Sequence, residues 1–197
     1  MKYCAFIQSL SSSETGAGEL LYNRLHNSIS CEYKLFPPIK VKSLAEIRQT
    51  VDYISKKLNM TDHLILCIDA HSYTDTITFK NPESQDKNKW TEYKDWNSFN
   101  EMFDSLYDKF GENIVVIIVS CYSASFCSSM KSPHLFIIAS DGEVNAMRAK
   151  EQLSAFYDEY CKDCNVEKAY SIMTDKYPFD EEAKIEGRYK AVLKLFK

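Results

Sequence analysis

Apolar and polar positions follow two rhythms along the chain, and the changes of rhythm mark its elements. Lys2 to Gln8 (KYCAFIQ) is a short apolar run. HLILCID from His63, IVVIIVS from Ile114 and LFIIAS from Leu135 are nearly unbroken ones. Runs of this length with little polar alternation predict strands covered on both faces. Between them, apolar residues recur every three or four positions, the spacing of a helix face. This spacing predicts helices over Glu19–His26, Leu44–Leu58 and Asn97–Phe110, the last stopped by Gly111. Ser43 and Glu46 form a capping box at the start of the second helix. Two more helices are predicted over Asn145–Lys162 and Asn165–Met173. Glu32–Phe36 reads as a short strand halted by Pro37-Pro38. Thr76–Phe79 and Trp90–Tyr93 read as a hairpin around the polar stretch NPESQDKNK. Tyr189–Phe196 reads as a last edge strand.

Strands alternating with helices predict an α/β fold: a three-layer αβα sandwich around a mostly parallel sheet of about six strands. The chain of 197 residues fits a single domain over 1–197, with the hairpin inserted around 73–96. Working residues of such sheets gather at the carboxyl ends of the strands. One buried strand ends at Asp69-Ala70-His71-Ser72, another at Ser120-Cys121, and a third at Ser140-Asp141-Gly142.

Composition narrows the chemistry. Hydrophobic residues are 45% and charged residues 26%, as in soluble globular proteins. With a net charge of −4 and no basic block, nucleic acid is not an expected partner. No apolar run approaches the ~20 residues that span a bilayer, so no membrane association is expected. The N-terminus reads as a strand and a polar loop rather than a signal peptide, and a cytoplasmic protein is expected. Seven scattered cysteines do not suggest a disulfide framework. Cys161 and Cys164 form a lone C-x-x-C without a second pair, which suggests neither zinc nor a thioredoxin-like site.

Cys121 and His71 are the residues at strand ends that can carry nucleophilic chemistry. A thiol needs a base or a cationic neighbour to become a thiolate, and a histidine supplies one near neutral pH. Parallel strand tips lie ~5 Å apart in the pairing direction, so both side chains can face one cleft. The amides of Cys121 and of Ser72 or Tyr73 are the expected oxyanion donors. Cys67 reads as core. His26 reads as an exposed helix residue, His63 as loop, His134 as strand entry and Cys127 as an incidental thiol.

The order of elements, with His71 and Cys121 separated by 50 residues, resembles the caspase-like cysteine peptidases. Ala70-His71-Ser72 stands where these usually carry Ser/Gly-His-Gly. Ser120-Cys121-Tyr122-Ser123 is similar to the A-C-x-S/T/G pattern of the CHAT branch. HLFIIAS and SAFYDEYCKDCNVEKAYSIM resemble the strand and helices that follow, so the likeness covers roughly 2–173. It implies a cysteine endopeptidase without cofactor, in which Cys121 attacks a peptide bond of a protein substrate and His71 is the base. It also implies regulation by an activating protein partner, as in microbial defence or cell-death systems. Ser72 departs from the usual glycine, Ser120 from alanine, and Val119 from the acid that metacaspases carry there. The resemblance further suggests Asp141 as contact for a basic substrate residue. Asp69 and Ser120 are further substrate-binding candidates, Asp69 also as an orienter of His71.

Two other functions fit the sequence. One is a catalytically idle protein-interaction module on the same fold. The other is a flavodoxin-like or receiver-like anion binder that uses the Ser/Gly-rich stretch Ser9–Leu20 at a helix start.

Overall fold

The computed structural model describes residues 1–28, 32–86, 88–129, 135–178 and 193–196. Its centre is a mixed, mostly parallel sheet flanked by helices on both faces. The four apolar runs are strands β1 (Lys2–Gln8), β4 (His63–Asp69), β8 (Ile114–Val119) and β9 (Phe136–Ser140). Two short strands, β2 (Lys34–Leu35) and β3 (Ile39–Lys40), pair with β1. The last strand, β10 (Leu193–Phe196), closes the other edge antiparallel to β9. The order across the sheet is β10-β9-β8-β4-β1-β2, with β3 also on β1.

The two faces bury different helices. Helices α2 (Leu44–Lys57) and α3 (Asn100–Phe110) pack with Ile68, Val116 and Ile118 on one face. Helices α1 (Ala17–His26), α4 (Ala146–Asp163) and α5 (Val166–Lys176) pack with Cys67, Val119 and Ile138 on the other. Adjacent residues of a strand alternate between these cores, so each buried strand serves both. Cys67 is core, as its apolar run suggested.

Several boundaries differ from the expected ones for identifiable reasons. The expected strand Glu32–Phe36 shrinks to β2, and the chain resumes pairing as β3 beyond Pro37-Pro38. His63 is the first residue of β4 rather than loop, because its register partner is Lys2 of β1. Asn145 and Asn165 stand just outside their helices as caps, accepting from Arg148 N at 3.1 Å and Lys168 N at 2.9 Å. The Ser43 hydroxyl accepts from Glu46 N at 3.2 Å, but the Glu46 carboxylate reaches back to Lys42 N instead of Ser43 N. A 3-10 turn over Trp96–Phe99 precedes α3. His134 and residues 189–192 of the expected last strand lie outside the described residues.

The hairpin forms its own small sheet. Strands β5 (His71–Ser72), β6 (Thr76–Lys80) and β7 (Trp90–Asp95) pair antiparallel in the order β5-β6-β7. His71 therefore sits where the main sheet hands over to the hairpin. Among the described residues no helix is long and apolar enough to cross a membrane.

Candidate active site

Asp69 pairs with Gln8 of β1 and Val119 of β8, so three central strands end together. Just beyond this line the Ala70 amide donates to Val119 O at 3.3 Å, and the chains diverge. The divergence opens a cleft of about 230 Å³ towards the starts of α1 and α4. His71, Cys121, Asp69, Ser120 and Glu14 all line it. His71 and Cys121 are both half-buried, accessible from the cleft but not free in water.

Cys121 is fixed by a sharp turn. Tyr122 has φ 54°, in the left-handed region that costs a non-glycine residue about 1 kcal/mol or more. The Tyr122 amide donates to Gly142 O at 2.9 Å. The buried Ser123 hydroxyl donates to Ile118 O at 3.0 Å and accepts from Ser140 N at 2.9 Å. These bonds tie the turn to β8 and β9 and stop the chain directly after Ser120. The Val144 amide points at the Cys121 sulfur from 3.4 Å, a donor suited to a thiolate. Cys127 lies nearby in a 3-10 turn and packs against the α2–α3 core; burial pushes its thiol up to about 12.

Ser72 and Ser120 stitch the two tips together. Ser120 donates to the Ser72 hydroxyl, which donates to the Cys121 carbonyl. Ser72 thus acts through a buried side chain, and Tyr73 N–H is already used by Thr76 O at 2.8 Å. Tyr73 is therefore not an available oxyanion donor in this arrangement.

Asp69 is the buried acid of the cleft. Its Oδ2 accepts from Gly18 N at 2.6 Å and Gln8 Nε2 at 3.2 Å, while Oδ1 is buried without a partner. Burial pushes the carboxyl up to about 7 against those two hydrogen bonds. A Cβ on Gly18 would lie 2.8 Å from Oδ2, so the close approach requires glycine there. The Gly18 amide in the first turn of α1 is thus engaged by the protein's own carboxyl group, and an anion at that helix start would face Asp69. Asp141 is not part of the lining; its Oδ2 pairs with Lys194 Nζ of β10 at 2.6 Å.

His71 has partners that the sequence did not disclose. Its Nε2 lies 2.9 Å from Glu14 Oε1 and 3.1 Å from Lys80 Nζ. Burial, then the Lys80 charge, hold the imidazole below its ordinary value, with Glu14 opposing. At neutral pH the ring is therefore neutral and able to accept a proton. No separate motif marks Glu14 or Lys80. Glu14 looks like loop and Lys80 like a strand end until the hairpin register sets Thr78 against His71. Asp69 does not bond to His71; its partners are Gly18 and Gln8.

No family model matches this chain, and no curated protein does either. Function therefore rests on the site itself. Among the described residues no group of three or more His, Cys, Asp or Glu is placed to hold a metal ion.

Proposed function

We propose that this protein is a cysteine endopeptidase of the caspase-like kind, acting on a protein substrate. The observation that carries this reading is one cleft lined by the His71 imidazole and the half-buried Cys121 thiol, both from neighbouring strand ends. His71 takes the Cys121 proton, and the sulfur attacks the scissile carbonyl. The amine leaves with that proton, giving a thioester that water then hydrolyses. The Val144 amide and the strained Tyr122 turn support the assignment, since both hold the Cys121 sulfur in place and strain gathers at working sites. Oxyanion donation is proposed for the amides of Cys121 and Ser72. Asp69, which lines the cleft, and Asp141, at the third strand end, are the acids proposed to meet a basic substrate side chain.

A second reading, an idle protein-interaction module, is favoured by Ser72. Its buried hydroxyl is committed to the Cys121 carbonyl, at the position where the peptidases this sequence resembles keep a glycine. Cleavage of a diverse peptide library, read by mass spectrometry, separates the two. Wild type is expected to cut, preferentially after Lys or Arg, and Cys121→Ala is expected to cut nothing. Identical digests from both proteins, together with a Cys121 alkylated no faster than Cys127, would leave the idle module.

A further inference from the structure

Lys80 is 2% exposed, and its ammonium is enclosed on several sides. It donates to both Glu14 oxygens, at 2.9 Å each, and lies 4.4 Å from the centre of the Trp90 ring. Trp90 in turn meets the His71 ring edge-on at 5.3 Å. Glu14 accepts further bonds from Ser11, from the amide at 3.0 Å and the hydroxyl at 2.7 Å. A buried ion pair is poor support for stability, since apolar residues of similar size often do as well. Its geometry here points to another role, because both charges converge on one ring nitrogen of His71.

We propose that Glu14 and Lys80 form a charged clamp that sets the ring orientation and tautomer of His71, with Glu14 as a positioning residue of the site. The role in catalysis rests on the Cys–His reading above; the clamp itself does not.

The chemistry follows from donor and acceptor roles. Glu14 is held at about 2: burial works against this, but the bonds from Lys80 and Ser11 and the His71 charge outweigh it. An ionised carboxylate only accepts and an ammonium only donates, so Glu14 favours a protonated Nε2 and Lys80 a bare one. Lys80 already gives hydrogens to both Glu14 oxygens and faces the Trp90 ring, so we infer that the carboxylate prevails and Nε2 carries the proton. The neutral ring is then protonated on Nε2 and keeps its lone pair on Nδ1, the form of a base. Lys80 resists addition of a second proton, while Glu14 stabilises the imidazolium once the ring has taken one. The opposed charges keep the ring neutral at rest without forbidding its charged form. The groups that face His71 are Glu14 from the β1–α1 loop, Lys80 from β6, Asp69 and Cys121 across the cleft, and uncharged Trp90 from β7.

The clamp also joins two loops. Ser12 N donates to Ser84 O at 3.1 Å, and the Ser13 hydroxyl donates to Gln85 O at 3.1 Å. Lys80 N donates to the Ser9 hydroxyl at 3.0 Å. The hairpin is thereby tied to the β1–α1 loop at the rim of the cleft.

Nitrogen NMR of the full chain with ¹⁵N-labelled histidine tests this, with His71→Gln identifying the signals. In wild type the neutral His71 ring is expected as the Nε2–H tautomer, titrating below free histidine. Lys80→Met, which leaves only the carboxylate, should raise the midpoint by roughly one pH unit. Glu14→Gln should lower it and weaken the Nε2–H preference, while Lys80→Arg should keep the wild-type behaviour. Cys121 alkylation is read in the same samples and should slow ~10–100-fold in Glu14→Gln, as for lost orienting partners elsewhere. A wild-type ring protonated on Nδ1 overturns the clamp even if every variant misfolds. So do unchanged His71 shifts in folded Glu14→Gln and Lys80→Met. If the shifts move as expected but His71→Gln leaves Cys121 alkylation unaltered, the clamp stands and the Cys–His reading falls.

Discussion

The two ends of β4 carry nearly the same residues in opposite circumstances. At the amino end Asp62 precedes His63; at the carboxyl end Asp69 stands two before His71. Asp62 is fully engaged: it accepts from the N-terminal ammonium at 2.9 Å and from Asn59 N at 2.8 Å, bonds that hold it below its ordinary value. His63 is held low by burial, then by the N-terminal ammonium and Lys2, and its Nδ1 lies 3.5 Å from the Tyr160 hydroxyl. That end is a closed electrostatic seam. At the other end Asp69 keeps an oxygen without a partner and His71 opens onto a cleft. An acid and a histidine close in sequence therefore say little. What separates the two pairs is their surroundings in space: one is enclosed by partners, the other stands at the lining of a cleft.

The largest expected difference between the ends is kinetic. His71→Ala should slow Cys121 alkylation near neutral pH by ~10²-fold or more, the scale of a lost general base. His63→Ala should leave it unchanged, and stopped-flow labelling reads both. Equal effects would erase the distinction between the two histidines.

A second difference is one of sign. Asp62, with a lowered value, contributes stability that is present above about pH 4 and lost as pH falls through its folded value. Asp69 is raised to about 7, so its contribution is full below about pH 4 and lost as pH rises through about 7. Asp62→Asn should therefore lower the Tm at neutral pH, with the gap closing in acid. Asp69→Asn, which keeps an acceptor for Gly18, should gain on wild type as pH rises from 4 to 7, by ~2–4 kcal/mol. Thermal melts across this range check both, and parallel curves would remove the contrast.

The smallest effect lies at the amino end alone. Acetylating the N-terminus removes the ammonium bound to Asp62 and should cost ~0.5–1 kcal/mol, because that pair is partly exposed. Denaturant melts measure it, and Cys121 alkylation should not change.

Much of the fold was legible because buried strands and amphipathic helices write their burial into local sequence. IVVIIV became β8 with every residue buried, and Leu44, Ile47, Val51 and Ile54 became the buried stripe of α2. His71 and Cys121 were legible because they stand where apolar runs stop. Asp141 was picked out by an Asp-Gly after a strand end, and its ion pair with Lys194 of β10 was not legible. The role of Ser72 was also not legible as a side-chain link, since its partner, Cys121, lies 49 residues away.

The sequence alone determined the long central strands, the helices, their alternation and the strand ends where His71 and Cys121 stand. Each of these depends on neighbours a few residues apart, and periodicity records that range. Only the tertiary structure decided the surroundings of His71. Glu14 is 57 residues from it, and Lys80 reaches it only through the register of a hairpin. Electrostatic environment depends on distance in space and on exclusion of water, and a linear pattern records neither.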